Sequence, residues 1–172
     1  MKRTIIALTL IAALLGSTVA PSLAGSAHAA NRADSHPALF DKTRFVLHMG
    51  FAYYAFHHFV WSRYKDGSFK SGAPKRIRNI IKAGIALLFA YHEVKVAYGI
   101  AQKSNSKTLH ALISPLQKLG GAMSAAGTKF KKGQYSDSDV TSLNSSADGF
   151  QSLSTKNGYG FQDKAVPVPG AS

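Results

Sequence analysis

Two helix-length apolar segments separated by a single short polar loop constrain this chain most. From Phe45 to Trp61 no residue is formally charged, and apolar or aromatic side chains occur on every helical face. Pro37 suits the first turn of a helix, where a missing N–H costs little. A helix is therefore predicted from about Ala38 to Tyr64. Asp66-Gly67-Ser68 breaks it, and the loop continues to Ala73. Pro74 opens a second predicted helix reaching about Gln102, with Ile77, Ile80, Ile81, Ile85 and Leu88 at helical spacing. A small-residue stripe, Ala83, Ala86, Ala90, Ala97 and Ala101, lets another helix approach closely, which makes this helix central. A loop this short returns the second helix antiparallel to the first, so residues whose numbers add to about 140 share a level. His48 and His92 are such a pair, expected as a buried polar contact or, in the minority outcome, as ligands.

Leu109, Leu112 and Ile113 begin a third helical segment. Ser114-Pro115-Leu116-Gln117 reads as a capping box that restarts it, and Gly127 as its stop, followed by a basic linker with Lys129, Lys131 and Lys132. Ser136-Asp137-Ser138-Asp139 caps a fourth helix with Val140, Leu143, Ala147, Phe150 and Leu153 on one face, ended by Asn157-Gly158. No alternating strand pattern occurs. The expected fold is all-α, a bundle of about four helices with a long N-terminal antiparallel hairpin.

The N-terminus carries a different message. Lys2-Arg3 precede the apolar run Ile5–Leu15, and small residues lead to Ala27-His28-Ala29. That order is a secretory signal, with Ala27 and Ala29 where the peptidase needs small side chains. The run is too short for the roughly 20 residues that span a bilayer. The expected organisation is a signal peptide over 1–29, a helical domain over 30–156 and a flexible Gly/Pro-containing tail over 157–172. Export, with retention near the cell envelope, is the expected location.

The chain has no cysteine, so no disulfide and no thiol chemistry, and a net charge of +13. The excess is uneven: residues 30–135 hold seventeen Lys and Arg against Asp34, Asp41, Asp66 and Glu93. Known catalytic patterns fail on inspection. His92-Glu93 starts like a zinc-protease helix, but Val96 stands where the second histidine belongs. Gly67 and Gly72 have phosphate-loop spacing, yet Ala73-Pro74 replaces the Lys-Ser/Thr pair. No Gly-x-Ser-x-Gly elbow occurs. A non-enzymatic protein without a cofactor is expected.

The remaining concentration of chemistry is the hairpin tip. Lys65, Lys70, Lys75, Arg76, Arg78 and Lys82 crowd the loop, with Trp61, Tyr64 and Phe69 among them and Asp66 alone opposing. Cations interleaved with amphipathic aromatics suit anionic envelope polymers or acidic lipid headgroups, with peripheral membrane contact. No specific nucleic-acid recognition is expected. The alternatives are a haem or metal carrier using His48 and His92, and a membrane-associated helical hairpin. His57 and His58 are adjacent, point about 100° apart on a helix and cannot jointly ligate one ion.

Tyr53-Tyr54-Ala55-Phe56-His57-His58 and Tyr91-His92-Glu93-Val94-Lys95 give residues 40–155 a pattern that resembles small exported helical proteins of bacterial families with no assigned activity. The resemblance implies an exported all-α protein and transfers no site.

The mature N-terminus is expected at Ala30, and N-terminal sequencing of secreted protein checks it. Recovery of only intact Met1 protein in membranes would contradict export and cleavage.

Overall fold

The computed structural model describes the backbone of residues 27–171 and the side chains of 39–171. The signal peptide expected over 1–29 lies almost wholly outside the described residues. Helix α1 spans Ala27–Phe56 and runs on through a π-helical turn, His57–Trp61, into a short helix α2, Ser62–Lys65. Then come α3 (Arg76–Lys103), α4 (Lys107–Ala111), α5 (Ile113–Lys131) and α6 (Asp137–Lys156). No strand occurs among the described residues, and the fold is an all-helical bundle.

Helix α3 is the centre. Its stripe Ala83, Ala86, Ala90, Ala97 and Ala101 is wholly buried, as are Phe45, Met49, Ala52, Ala55 and Phe56 of α1. On its other flank α5 comes so near that side chains are excluded. A Cβ at Gly84 would lie 3.0 Å from the backbone nitrogen of Lys131, and one at Gly127 3.1 Å from Leu88. Gly127 is therefore the crossing point of α3 and α5, where the sequence suggested a helix stop, and α5 continues one turn further. Close backbone approach of this kind lets many small dispersion contacts accumulate without rotamer entropy to lose.

Helix boundaries differ from expectation in three places. α1 begins at Ala27, not Ala38, and passes through Pro37, which simply has no N–H to donate. The break between α4 and α5 falls at Leu112, and Ser114 caps nothing; Ser106 instead caps α4 by accepting from the Leu109 N–H. Ser114-Pro115 fits within the first turn of α5, where proline is tolerated. At α6 the expected capping box is present, Ser136 accepting from the Asp139 N–H and Asp139 from the Ser136 N–H. Its far end closes with Gly158 at φ 80°, the Gly158 N–H donating to Thr155 and the Tyr159 N–H to Ser154.

The tail expected to be flexible packs onto the bundle as a strap along α1. Tyr159, Phe161, Val168 and Ala171 are buried. Tyr159 meets Phe45 edge-on and its hydroxyl bonds Ser106, while Phe161 meets Tyr53 at 4.6 Å between ring centroids. Further along, the Lys164 N–H donates to the Gly50 carbonyl (3.0 Å) and His57 donates to Asp163 (2.8 Å). The strap helps to explain how α1 can be so widely apolar: α3 covers one face and the strap another, while Tyr53 reaches α6. From α6, Ala147 supplies the carbonyl that accepts the buried Tyr53 hydroxyl, and burial pushes that phenol's pKa well above the usual tyrosine value, with Asp148 and Asp163 adding to the rise.

Gly50 decides whether the strap can seat, because a Cβ there would lie 2.7 Å from the Gln162 carbonyl oxygen. Gly50→Ala is expected to cost about 1–3 kcal/mol despite alanine's better helix propensity. Gly99→Ala and Gly149→Ala, where a Cβ meets nothing, are expected to gain up to about 1 kcal/mol. Denaturant unfolding measures all three, and faster exchange of the Lys164 amide in Gly50→Ala locates the damage in the strap.

Candidate functional site

The hairpin register agrees with the sequence expectation, with one change of partner. His48 meets Glu93, its Nδ1 2.6 Å from Oε2, while His92 is exposed on the adjacent position of α3. The two residues first paired as possible ligands are therefore not brought together: His48 is occupied by the chain's only glutamate. Sequence distance alone sets the level; the 100° step between neighbouring helical residues decides which of the two faces α1. Among the described residues no group of three or more His, Asp or Glu side chains could hold a metal ion.

At the tip, the loop is anchored from below. Phe69 is buried against Phe130 and Tyr135, and its carbonyl accepts from both Arg76 Nε (2.8 Å) and the Tyr135 hydroxyl (3.1 Å). Two of the residues expected at the binding surface thus also hold the loop in place: Phe69 as the anchor and Arg76, through its Nε, as its hook. Above them Lys75 adopts the left-handed conformation at φ 55°, and α3 starts there without a side-chain cap or an acidic residue in its first turn.

The other cations divide into two groups. Lys75, Arg78 and Lys82 line an open cleft of ≈ 590 Å³ with Arg63, Asn79 and Ser68, and among the described residues Asp66 is the only carboxylate on its wall. Asp66 is itself engaged, accepting from the Ser68 amide and hydroxyl with Arg63 at 3.6 Å. Those bonds, the Ser68 hydroxyl first, hold its pKa below the usual carboxylate value. Lys65 and Lys70 border a separate hollow with Tyr64, Phe69 and Asp137. There Lys65 lies over the Trp61 ring, 5.6 Å from its centroid, and Trp61 stacks on Tyr64.

Arg63 escapes a reading of the sequence because only the packed hairpin brings it to the cleft across from Arg78. The register that pairs His48 with Glu93 also places it level with Arg78. The π turn contributes as well: the Ser62 N–H bonds back to His57, five residues earlier, and the added residue rotates the downstream side chains about the helix axis. A second groove, lined by Tyr54, His58, Phe59 and the strap residues 165–167, shares Arg63 and Lys82 with the cleft. Among the described residues no helix is long and apolar enough to cross a membrane.

Comparison with family models, curated proteins and solved structures returns no match. The chemistry of the tip has to be read from its own geometry.

The His48–Glu93 contact is expected to be structural. Glu93→Ala should cost about 1–3 kcal/mol by leaving a half-buried imidazole unpaired, measured by thermal or denaturant unfolding. Haem or zinc added to the native protein should leave absorbance and melting temperature unchanged.

Proposed function

We propose that this chain is an exported, non-enzymatic protein of the cell envelope that binds anionic surfaces or polymers through the basic tip of the α1–α3 hairpin. The observation that carries this reading is where the cations stand. Lys75, Arg78 and Lys82 are grouped on the N-terminal turns of α3 and face Arg63 across one cleft. The N-terminus of a helix is the positive end of its dipole, so cations at its cap and first turn, here Lys75 and Arg78, are unfavourable by about 0.3–1 kcal/mol each, and acidic residues are what would stabilise it. The first turn of α3 holds no acidic residue. An anion in the cleft relieves both the mutual repulsion of the side chains and the exposed helix end.

The signal-like N-terminus supports an extracytoplasmic setting, where anionic partners are envelope polymers and acidic lipids. The cleft's wall offers Asn79 as a hydrogen-bond donor beside its four cations, a set suited to phosphate or carboxylate oxygens. Its open form fits a group on a polymer or surface better than an enclosed small molecule.

Reversal of Arg63, Lys75, Arg78 and Lys82 to glutamate is expected to abolish retention on anionic polymer. Equal reversal at the exposed Lys95, Lys103, Lys107 and Lys118 should only weaken it. Equal losses would mean that net charge governs binding. Arg78→Glu alone should raise stability by about 0.5–1 kcal/mol while lowering retention, since it corrects the helix end but reverses the site. Denaturant unfolding and salt-gradient elution measure the two effects separately.

A further inference from the structure

Ile77 and Ile81 are the most conspicuous apolar side chains of α3 that the bundle does not use. They are 71% and 48% exposed, although the sequence set them on the predicted apolar stripe of this helix. Their place in the fold explains it. Ile77, Ile81, Gly84 and Leu88 form one row at helical spacing, and from Gly84 onward that row is covered by α5, through Lys131 at Gly84 and Gly127 at Leu88. α5 ends at Lys131. The first two turns of α3 overhang it, and the row that α5 covers at Gly84 and Leu88 is surface below them.

The overhanging pair is rimmed with positive charge on both sides. Arg78 and Lys82 stand one helical step round on the cleft side, and Lys131 lies against Gly84 where α5 stops, with exposed Lys132 next in the chain. The hairpin's only glutamate, Glu93, is paired with His48 three turns further on. Apolar side chains at the end of a bundle, with long flexible cations around them and no span-forming helix among the described residues, match the requirements of an interfacial contact. The isoleucines enter the headgroup and acyl boundary while Lys and Arg reach the phosphates. A soluble polyanion satisfies the cations but gives the isoleucines nothing.

We infer that the anionic partner of the tip is a lipid bilayer surface, docked by insertion of Ile77 and Ile81 with Arg78, Lys82 and Lys131 on headgroup phosphates. The inference rests on the proposed anion-binding tip and adds to it an apolar component that a polymer site would lack.

The test is co-sedimentation of the full-length protein with phosphatidylcholine vesicles, with and without phosphatidylglycerol, alongside retention on immobilised polyphosphate. Trp61, the chain's single tryptophan, reports docking at the tip through its emission. Ile77→Ser with Ile81→Ser is expected to lower the partition onto phosphatidylglycerol vesicles about tenfold and to leave polyphosphate retention unchanged. Leucine at both positions is expected to restore vesicle binding. Both side chains are exposed, so helical circular dichroism and melting temperature should match those of the parent.

Unchanged vesicle binding in the serine variant, with charge reversal in the cleft still abolishing it, would overturn lipid insertion and leave the anion-binding tip standing. Equal binding to vesicles with and without phosphatidylglycerol would overturn the pairing of charge with insertion. Loss of neither vesicle nor polyphosphate binding on charge reversal would overturn the tip as a site altogether.

Discussion

The close approach of α3 to its neighbours on both flanks is the constraint that determines the other features. With no cysteine in the chain, the bundle depends on packing alone, and α3 achieves it with alanines toward α1 and with Gly84 facing α5. Such an interface fixes height as well as distance, because a side chain added at Gly84 would lie 3.0 Å from the Lys131 backbone nitrogen, so only glycine fits at that height. Fixing the height of α5 on α3 determines where α5 stops. Fixing α1 on α3 determines which residues meet across the hairpin, His48 with Glu93 near the middle and Arg63 with Arg78 near the tip. The exposed cationic cleft and the overhanging isoleucines are both consequences of a central helix that outlasts its neighbour.

Electrostatically the molecule is arranged against its own stability at one end. Basic residues at the positive end of α3 and a lysine in the left-handed region at its start each carry a cost that a sequence selected for stability alone would avoid. At α6 the same chain does the opposite. Asp137 and Asp139 occupy the first turn, Asp139 is bonded to Lys129 and Ser136, and those bonds lower its pKa. That contribution is fully present above the unfolded-state value, near 4, and is lost as pH falls through the lower folded value. An anion bound at the α3 terminus, as proposed, would offset the cost of the basic residues there.

The helical hairpin, its register and the central position of α3 were legible in the sequence, since each depends on spacing within one or two elements. The α6 capping box and the Asn157-Gly158 stop were legible for the same reason: Ser136, Asp139 and Gly158 act on their own backbone. The features that stayed hidden depend on contacts distant in sequence. Gly127 looks like a helix stop until Leu88 is seen against it. The tail looks free because Tyr159, Phe161, Val168 and Ala171 are too sparse for any periodic pattern, yet Gly50 on α1 is shaped to receive them. At the site, the sequence located the cluster but not its division. Arg76 and Phe69 serve the loop, Lys65 and Lys70 face Asp137, and Arg63 joins from across the hairpin; these assignments depend on side-chain direction, which residue numbers alone do not supply.

Amide chemical shifts recorded by two-dimensional NMR during titration with soluble polyphosphate test the existence of a localised anion site most directly. The expected result is saturable movement confined to Arg63, the Asp66–Ser68 turn and residues 75–82, weakening steeply with added salt. Shifts of comparable size at Lys103, Lys107 and Lys118 would contradict it, since they would show the positive charge acting as a whole-molecule field with no site at the tip.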